Sequence, residues 1–334
     1  MSNNLNCLLI FIGMNYMVNT RSFYYYSLLY ALIAHFGFLG YGIDVYDAYS
    51  IAYGWGIGTF EPIGWYLSTF RLYSANDIYL GVFFVSLIVS SGLIYASFYF
   101  LGNENKFSKI EIIFIIFFMH FVHVTVFSSV NALRQGLAMS FFMFGIVKLL
   151  SGSFRKTLFL FLLSILCHNA VLFIIVPLLT LINVNKKLLQ LGIGFIFIVL
   201  TPFALNLGVA EKTQVSTTLN YSIIYFILFF AYSFFYWQSF SNSTKFKFSE
   251  VRRRYQFGFF VVMLMMLFLL NRESHLQRMV MFIMIPLVYE IFVFLPAINP
   301  LRNVIVFSFL LLWVVITLTS SAFSSFREYS TMPL

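Results

Sequence analysis

The chain is predicted to be an all-α protein that crosses a membrane many times, and three observations predict it. The composition is 61% hydrophobic and 21% aromatic but only 9% charged, with a mean hydropathy of +0.92. That leaves too little polar surface to coat a water-soluble globule of 334 residues. Apolar runs of spanning length recur from end to end. The basic residues sit in the short segments between those runs, so the net charge of +9 reads as insertion topology and not as a nucleic-acid surface. Residues 1–334 are therefore expected to form a single polytopic membrane domain.

The elements follow in order. The first apolar run, 5–18, has no basic residue before it, Arg21 after it and no small-residue cleavage site, which predicts a retained helix with its N-terminus outside. About ten spans are expected, near 5–20, 23–40, 78–100, 110–127, 129–150, 188–208, 222–240, 255–271, 279–297 and 303–322. Residues 157–183 are slightly long for one crossing, much too short for two, and interrupted by Cys167-His168-Asn169. Charge arbitrates between the two readings of this stretch. As a re-entrant hairpin it puts Arg21, Lys106, Lys109, Lys148, Arg155, Lys156, Lys186, Lys187, Lys245, Lys247, Arg252, Arg253, Arg254 and Arg302 inside. Arg71, Arg134, Lys212, Arg272, Arg278 and Arg327 are then outside, so the 20 basic residues divide 14 to 6. A single crossing divides the same 20 evenly and abolishes the bias. The hairpin is the expected form, with His168 at its apex, packed in the bundle or facing a cavity. Cys7 and Cys167 lack disulfide or zinc spacing and read as buried thiols.

The outside face collects the polar groups. Asp44 and Asp47 lie among tyrosines, and Glu61-Pro62 opens an aromatic-rich stretch suited to a short interfacial helix. In SSVNALRQGLAM (128–139), a helix starting at Ser128 or Ser129 would put Asn131, Arg134 and Gln135 on one face near its N-terminus. A fork of guanidinium donors beside a positive helix end describes an anion site, whereas a headgroup anchor would need only the arginine. Arg272, His275 and Arg278 would share a face if 271–279 is helical, with Arg278 opening the next span; a solvated loop is the plainer reading. His120 and His123, three apart, lack a third ligand for a metal site. Glu290, late in its span, is expected to snorkel or to be paired.

The succession Gly42-x-Asp44 with Tyr46 and Tyr49, Glu61-Pro62, Asn131-x-x-Arg134-Gln135-Gly136-Leu137-Ala138, His168-Asn169 and a late Arg278 resembles the EpsG-type, Wzy-like bacterial polysaccharide polymerases. The resemblance covers roughly 40–285, and its arginine-glutamine and histidine blocks are the most specific. It implies a multi-span fold similar to that of membrane glycosyltransferases using lipid-linked donors. It also implies joining of undecaprenyl-pyrophosphate-linked repeat units of O-antigen or exopolysaccharide at the outer face of the bacterial cytoplasmic membrane. A chain-length regulator of the Wzz type and a flippase of the Wzx type are implied partners, beside membrane lipids. On this reading Arg134, Gln135, Asn131, Arg278, Arg272 and His275 would bind pyrophosphate and glycan, and His168, Asp44 or Glu61 would act as base. No cofactor is expected, and without an Asp-x-Asp pair no metal. Two other readings are a glycan ligase with the same donor chemistry and a transporter or flippase, which would show an internal repeat that this chain lacks.

Overall fold

The computed structural model describes residues 20–35, 61–68, 78–102, 107–208, 221–241, 248–270, 273–295 and 301–319. Among them there is helix and no strand. The helices are α1 (Thr20–His35), α2 (Pro62–Ser68), α3 (Ile78–Ser97, continued by a wide turn Phe98–Gly102), α4 (Lys109–His120), α5 (His123–Val130) and α6 (Leu133–Leu150). They continue with α7 (Phe154–Cys167), a tight turn Asn169–Val171, α8 (Leu172–Asn183), α9 (Lys187–Gly208), α10 (Tyr221–Ser241), α11 (Glu250–Met266), α12 (Glu273–Phe294) and α13 (Arg302–Thr319). The chain divides into two compact units, Met1–Asn169 with Asn303–Leu334, and Ala170–Arg302, and each is described by itself.

In the first unit α6 is the central post. From Leu133 to Leu149 every residue of α6 is buried except Arg134 and Phe141, and α2, α3, α5 and α7 pack around it. Gly136 makes one of these approaches possible, because a Cβ there would collide with the Ser128 carbonyl of α5.

The expected span 110–127 is broken. A bend of 58° separates α4 from α5, with Val122 extended at φ −75°, ψ 149°. Neither proline nor glycine causes it; side chains from neighbouring helices take up the backbone groups that the break releases. Tyr30 Oη donates to the His120 carbonyl at 3.3 Å, and the His123 N–H donates to Thr317 Oγ1 of α13 at 2.8 Å. The His120 ring is fixed by the Ile116 carbonyl at 2.7 Å and by Ser90 Oγ at 2.8 Å. A carbonyl only accepts, so Nδ1 carries the hydrogen. His120 thus braces the broken helix through its ring and His123 through its backbone N–H, and among the described residues no three His, Cys, Asp or Glu side chains gather as a metal site.

In the second unit α12 is the buried centre, with 94% of Leu276–Phe294 covered; α10 packs against it, and α8, α9 and α11 form a second packed group. Glu290 is paired. Arg252 Nη2 lies 2.8 Å from its carboxylate, Gln256 Nε2 donates to it at 3.1 Å, and Tyr232 Oη caps the Gln256 carbonyl at 3.1 Å. Burying a charge is tolerable only with partners of this kind.

Among the described residues four helices are long and apolar enough to cross a membrane: Tyr79–Gly102, Leu133–Leu150, Leu276–Phe294 and Arg302–Thr319. The bent pair α4–α5 makes five if counted as one span. That is fewer than the ten expected. Span 5–20 lies outside the described residues, α9 and α10 hold only shorter apolar stretches, and α11 opens with Glu250, Arg252, Arg253 and Arg254, which dilute its hydropathy. The apolar surface nonetheless faces outward. Phe195, Ile196 and Leu200 of α9, Phe226, Ile227 and Phe230 of α10, and Leu311, Leu312 and Val315 of α13 are all exposed or nearly half exposed. So broad an outward apolar surface is stable against lipid and not against water.

Candidate functional site

The site begins with Glu61-Pro62. Proline suits the first position of a helix, where its missing N–H would have had no partner in any case, and the first turn of α2 closes with the Trp65 N–H on the Glu61 carbonyl at 3.1 Å. Gly64 lets α2 dock on the end of α7, since a Cβ there would overlap the Cys167 carbonyl. At that end the chain leaves the helix. His168 is extended at φ −156°, ψ 113°, its N–H still bonded to the Ser164 carbonyl at 2.9 Å.

Three segments meet on the Glu61 carboxylate. His168 Nδ1 lies 2.8 Å from Oε1, the Asn169 backbone N–H donates to the same oxygen at 3.0 Å, and Arg134 Nη1 donates to Oε2. Trp65, one turn after Glu61, lies under the guanidinium with Arg134 Cζ 3.9 Å from the ring centroid. The Glu61 side chain is 8% exposed, His168 15% and Arg134 27%, so the carboxylate is enclosed while the imidazole and guanidinium are partly open. Burial alone would raise the carboxyl's pKa. The His168 hydrogen bond, the charges of His168 and Arg134 and the Asn169 N–H outweigh it and hold the group at about 2.

The structure therefore brings together Glu61, Arg134 and His168, which lie far apart in sequence. Asn131 does not join them on a shared helix face. The helix expected from Ser128 or Ser129 starts at Leu133, and Asn131 is instead the non-helical cap that ends α5, at φ −131°, ψ −72°. The two serines belong to α5, whose last turn they complete. Asn131 and Gln135 are both buried, whereas Arg134 reaches the surface from the first turn of α6. Arg278, half-buried, lies in the second turn of α12, which begins at Glu273, and in the first turn of its apolar stretch Leu276–Phe294. His275 is in the first turn of α12, with its side chain outside the described residues; Arg272 and Asp44 lie outside them altogether. Cys167 is a buried free thiol.

Two contributors were not singled out by sequence reasoning: Trp65 as the plate beneath Arg134 and the Asn169 N–H as a donor to Glu61. The first had a signal. A Glu-Pro helix start puts residue 65 one turn above Glu61, on the same face.

The family model of the EpsG family matches residues 7–333, nearly the whole chain. No curated protein and no solved structure matches it. With the outward apolar helices and the His168–Glu61–Arg134 cluster in place, the chain belongs to the EpsG family of membrane proteins.

Proposed function

We propose that this protein polymerises lipid-linked glycans, joining undecaprenyl-pyrophosphate-linked repeat units of O-antigen or exopolysaccharide at the outer face of the bacterial cytoplasmic membrane. The observation that carries the reading is the meeting of an imidazole and a guanidinium, both partly open, over one enclosed carboxylate. Membership of the EpsG family supports a role in polysaccharide assembly.

The chemistry asks for two groups. An acceptor sugar hydroxyl attacks the anomeric carbon of the donor, and the bond from that carbon to the pyrophosphate oxygen breaks with its electron pair on the phosphate. The hydroxyl proton passes to His168. Arg134, in the first turn of α6, meets the charge that develops on the leaving group, and the positive end of that helix adds to it. The lipid pyrophosphate is itself the leaving group, so no nucleotide enters the reaction. Asp44 remains the alternative base, and Arg278, Arg272, His275 and the buried Gln135 and Asn131 remain candidates for glycan or pyrophosphate contacts.

Purified protein in lipid nanodiscs, given the lipid-linked repeat unit alone, is expected to produce a ladder of lengthening glycans with release of undecaprenyl pyrophosphate. With a lipid A core added as a second acceptor, transfer only to that core would mark a ligase. Movement of the unit across a vesicle membrane without a new glycosidic bond would mark a transporter, and either result would displace the polymerase reading.

A further inference from the structure

We propose that Glu61 is a positioning residue: its carboxylate holds His168 in the form that carries hydrogen on Nδ1, so that Nε2 is the atom that takes the acceptor's proton, and it fixes Arg134 beside the same reaction centre. The role in turnover rests on the polymerase reading; the assignment of the ring hydrogen rests on geometry alone.

Every group around the carboxylate is a donor. The Asn169 backbone N–H, 3.0 Å from Oε1, and the Arg134 guanidinium on Oε2 have no acceptor capacity. His168 Nδ1 stands 2.8 Å from Oε1. An ionised carboxylate only accepts, so that nitrogen must donate, and in the neutral ring the lone pair is then on Nε2. With two further donors on the carboxylate and its pKa lowered, Glu61 stays in this ionised, accepting form. Glu61 is therefore unsuited to take up the acceptor's proton, although its residue type made it a candidate. Its Oε1 also ties the backbone of the residue after the histidine, so one oxygen fixes both the ring and the turn that carries it. In the transfer step the acceptor O–H breaks with its proton to Nε2, the new C–O bond forms, and the electron pair of the old one leaves on the pyrophosphate. The imidazolium so formed lies beside an anionic carboxylate that needs no rearrangement to stabilise it.

The test uses full-length protein in nanodiscs, labelled with ¹⁵N-histidine, with the His168 signals among the five histidines identified by their loss in His168→Gln. The neutral ring of His168 is expected to show hydrogen on Nδ1. In Glu61→Leu, which removes the acceptor facing Nδ1 at similar volume, it is expected to shift toward Nε2–H. In the same variant kcat should fall by about 10²–10⁴ with KM little changed, at unchanged abundance in the membrane. Hydrogen on Nε2 in the wild type overturns the proposal, as does wild-type kcat in Glu61→Leu or a fall in kcat with the ring hydrogen unmoved. Should the wild-type protein make no polymer, the polymerase reading fails while the ring signals still decide the geometry.

Discussion

Arg134 is held on two sides. Its charge meets Glu61 and its flat face meets Trp65, so the guanidinium plane is set before any ligand arrives, and that costs less ordering on binding than a loose side chain would. Lysine can keep the charge but offers neither a planar face nor a fork of donors. Arg134→Lys, expressed at matched level in a strain lacking its polymerase, is expected to slow transfer by roughly 10²–10³ and leave mainly single-unit glycans; a wild-type length ladder on a gel would return this arginine to a scaffolding role. Glu61 predicts a pH effect on stability. Its folded pKa, about 2 against an ordinary 4.5, is depressed, so its contribution is present above pH 4.5 and is lost as pH falls through 2. In detergent, wild-type protein should therefore melt higher than Glu61→Gln near neutral pH, with the two melting temperatures converging as the pH is lowered from 5 toward 2. A constant gap would remove the carboxylate's linkage. His168, Arg134 and Glu61 were each legible as candidates from residue type and place in the chain, but their meeting was not, since 107 and 73 residues separate Glu61 from His168 and Arg134 and no local spacing reports such a contact.

Among the elements, the short helix α2 decides whether the site exists. It reaches the end of α7 only because Gly64 presents no side chain to the Cys167 carbonyl. Gly64→Ala is expected to push α2 off that helix end, separate Glu61 from His168 and lower activity by at least about tenfold, while Gly192→Ala, where a Cβ meets nothing within 4 Å, should leave activity near wild type. Equal activity in both would show that α2 docks by another route. The helix break at His168 was legible because three polar or small residues interrupt an apolar run, and the structure places the break there. The bend after His120 was not, since 110–127 reads as one apolar span and the groups that satisfy the break, Tyr30, Ser90 and Thr317, lie on three other helices. The start of α6 was misplaced for a related reason. Ser128 and Ser129 are good cap residues, but both are used by the preceding helix, and the cap position falls to Ala132.

For the whole molecule, composition sufficed to read a membrane protein, because an outward apolar surface is a property of the residue count as much as of the packing. The number of spans was less legible, since a run of apolar residues reports neither a bend nor how much of the run one helix takes up. Orientation on either side of His168 is testable directly. In a background with Cys7 and Cys167 replaced by serine, Ser151→Cys and Lys187→Cys flank α7 and α8 at exposed positions. The hairpin reading predicts that neither reacts with an impermeant thiol reagent added outside, while Tyr66→Cys does; opposite behaviour of the first two would make the stretch a single crossing. Whether His168 takes the proton as the glycosidic bond forms is decided by initial rates of chain extension by purified wild-type protein and by His168→Ala, on the same lipid-linked unit and with membrane abundance and melting temperature recorded for both. The account predicts a fall of about 10²–10⁴ in rate at near-normal abundance, and wild-type rate in well-folded His168→Ala would contradict it.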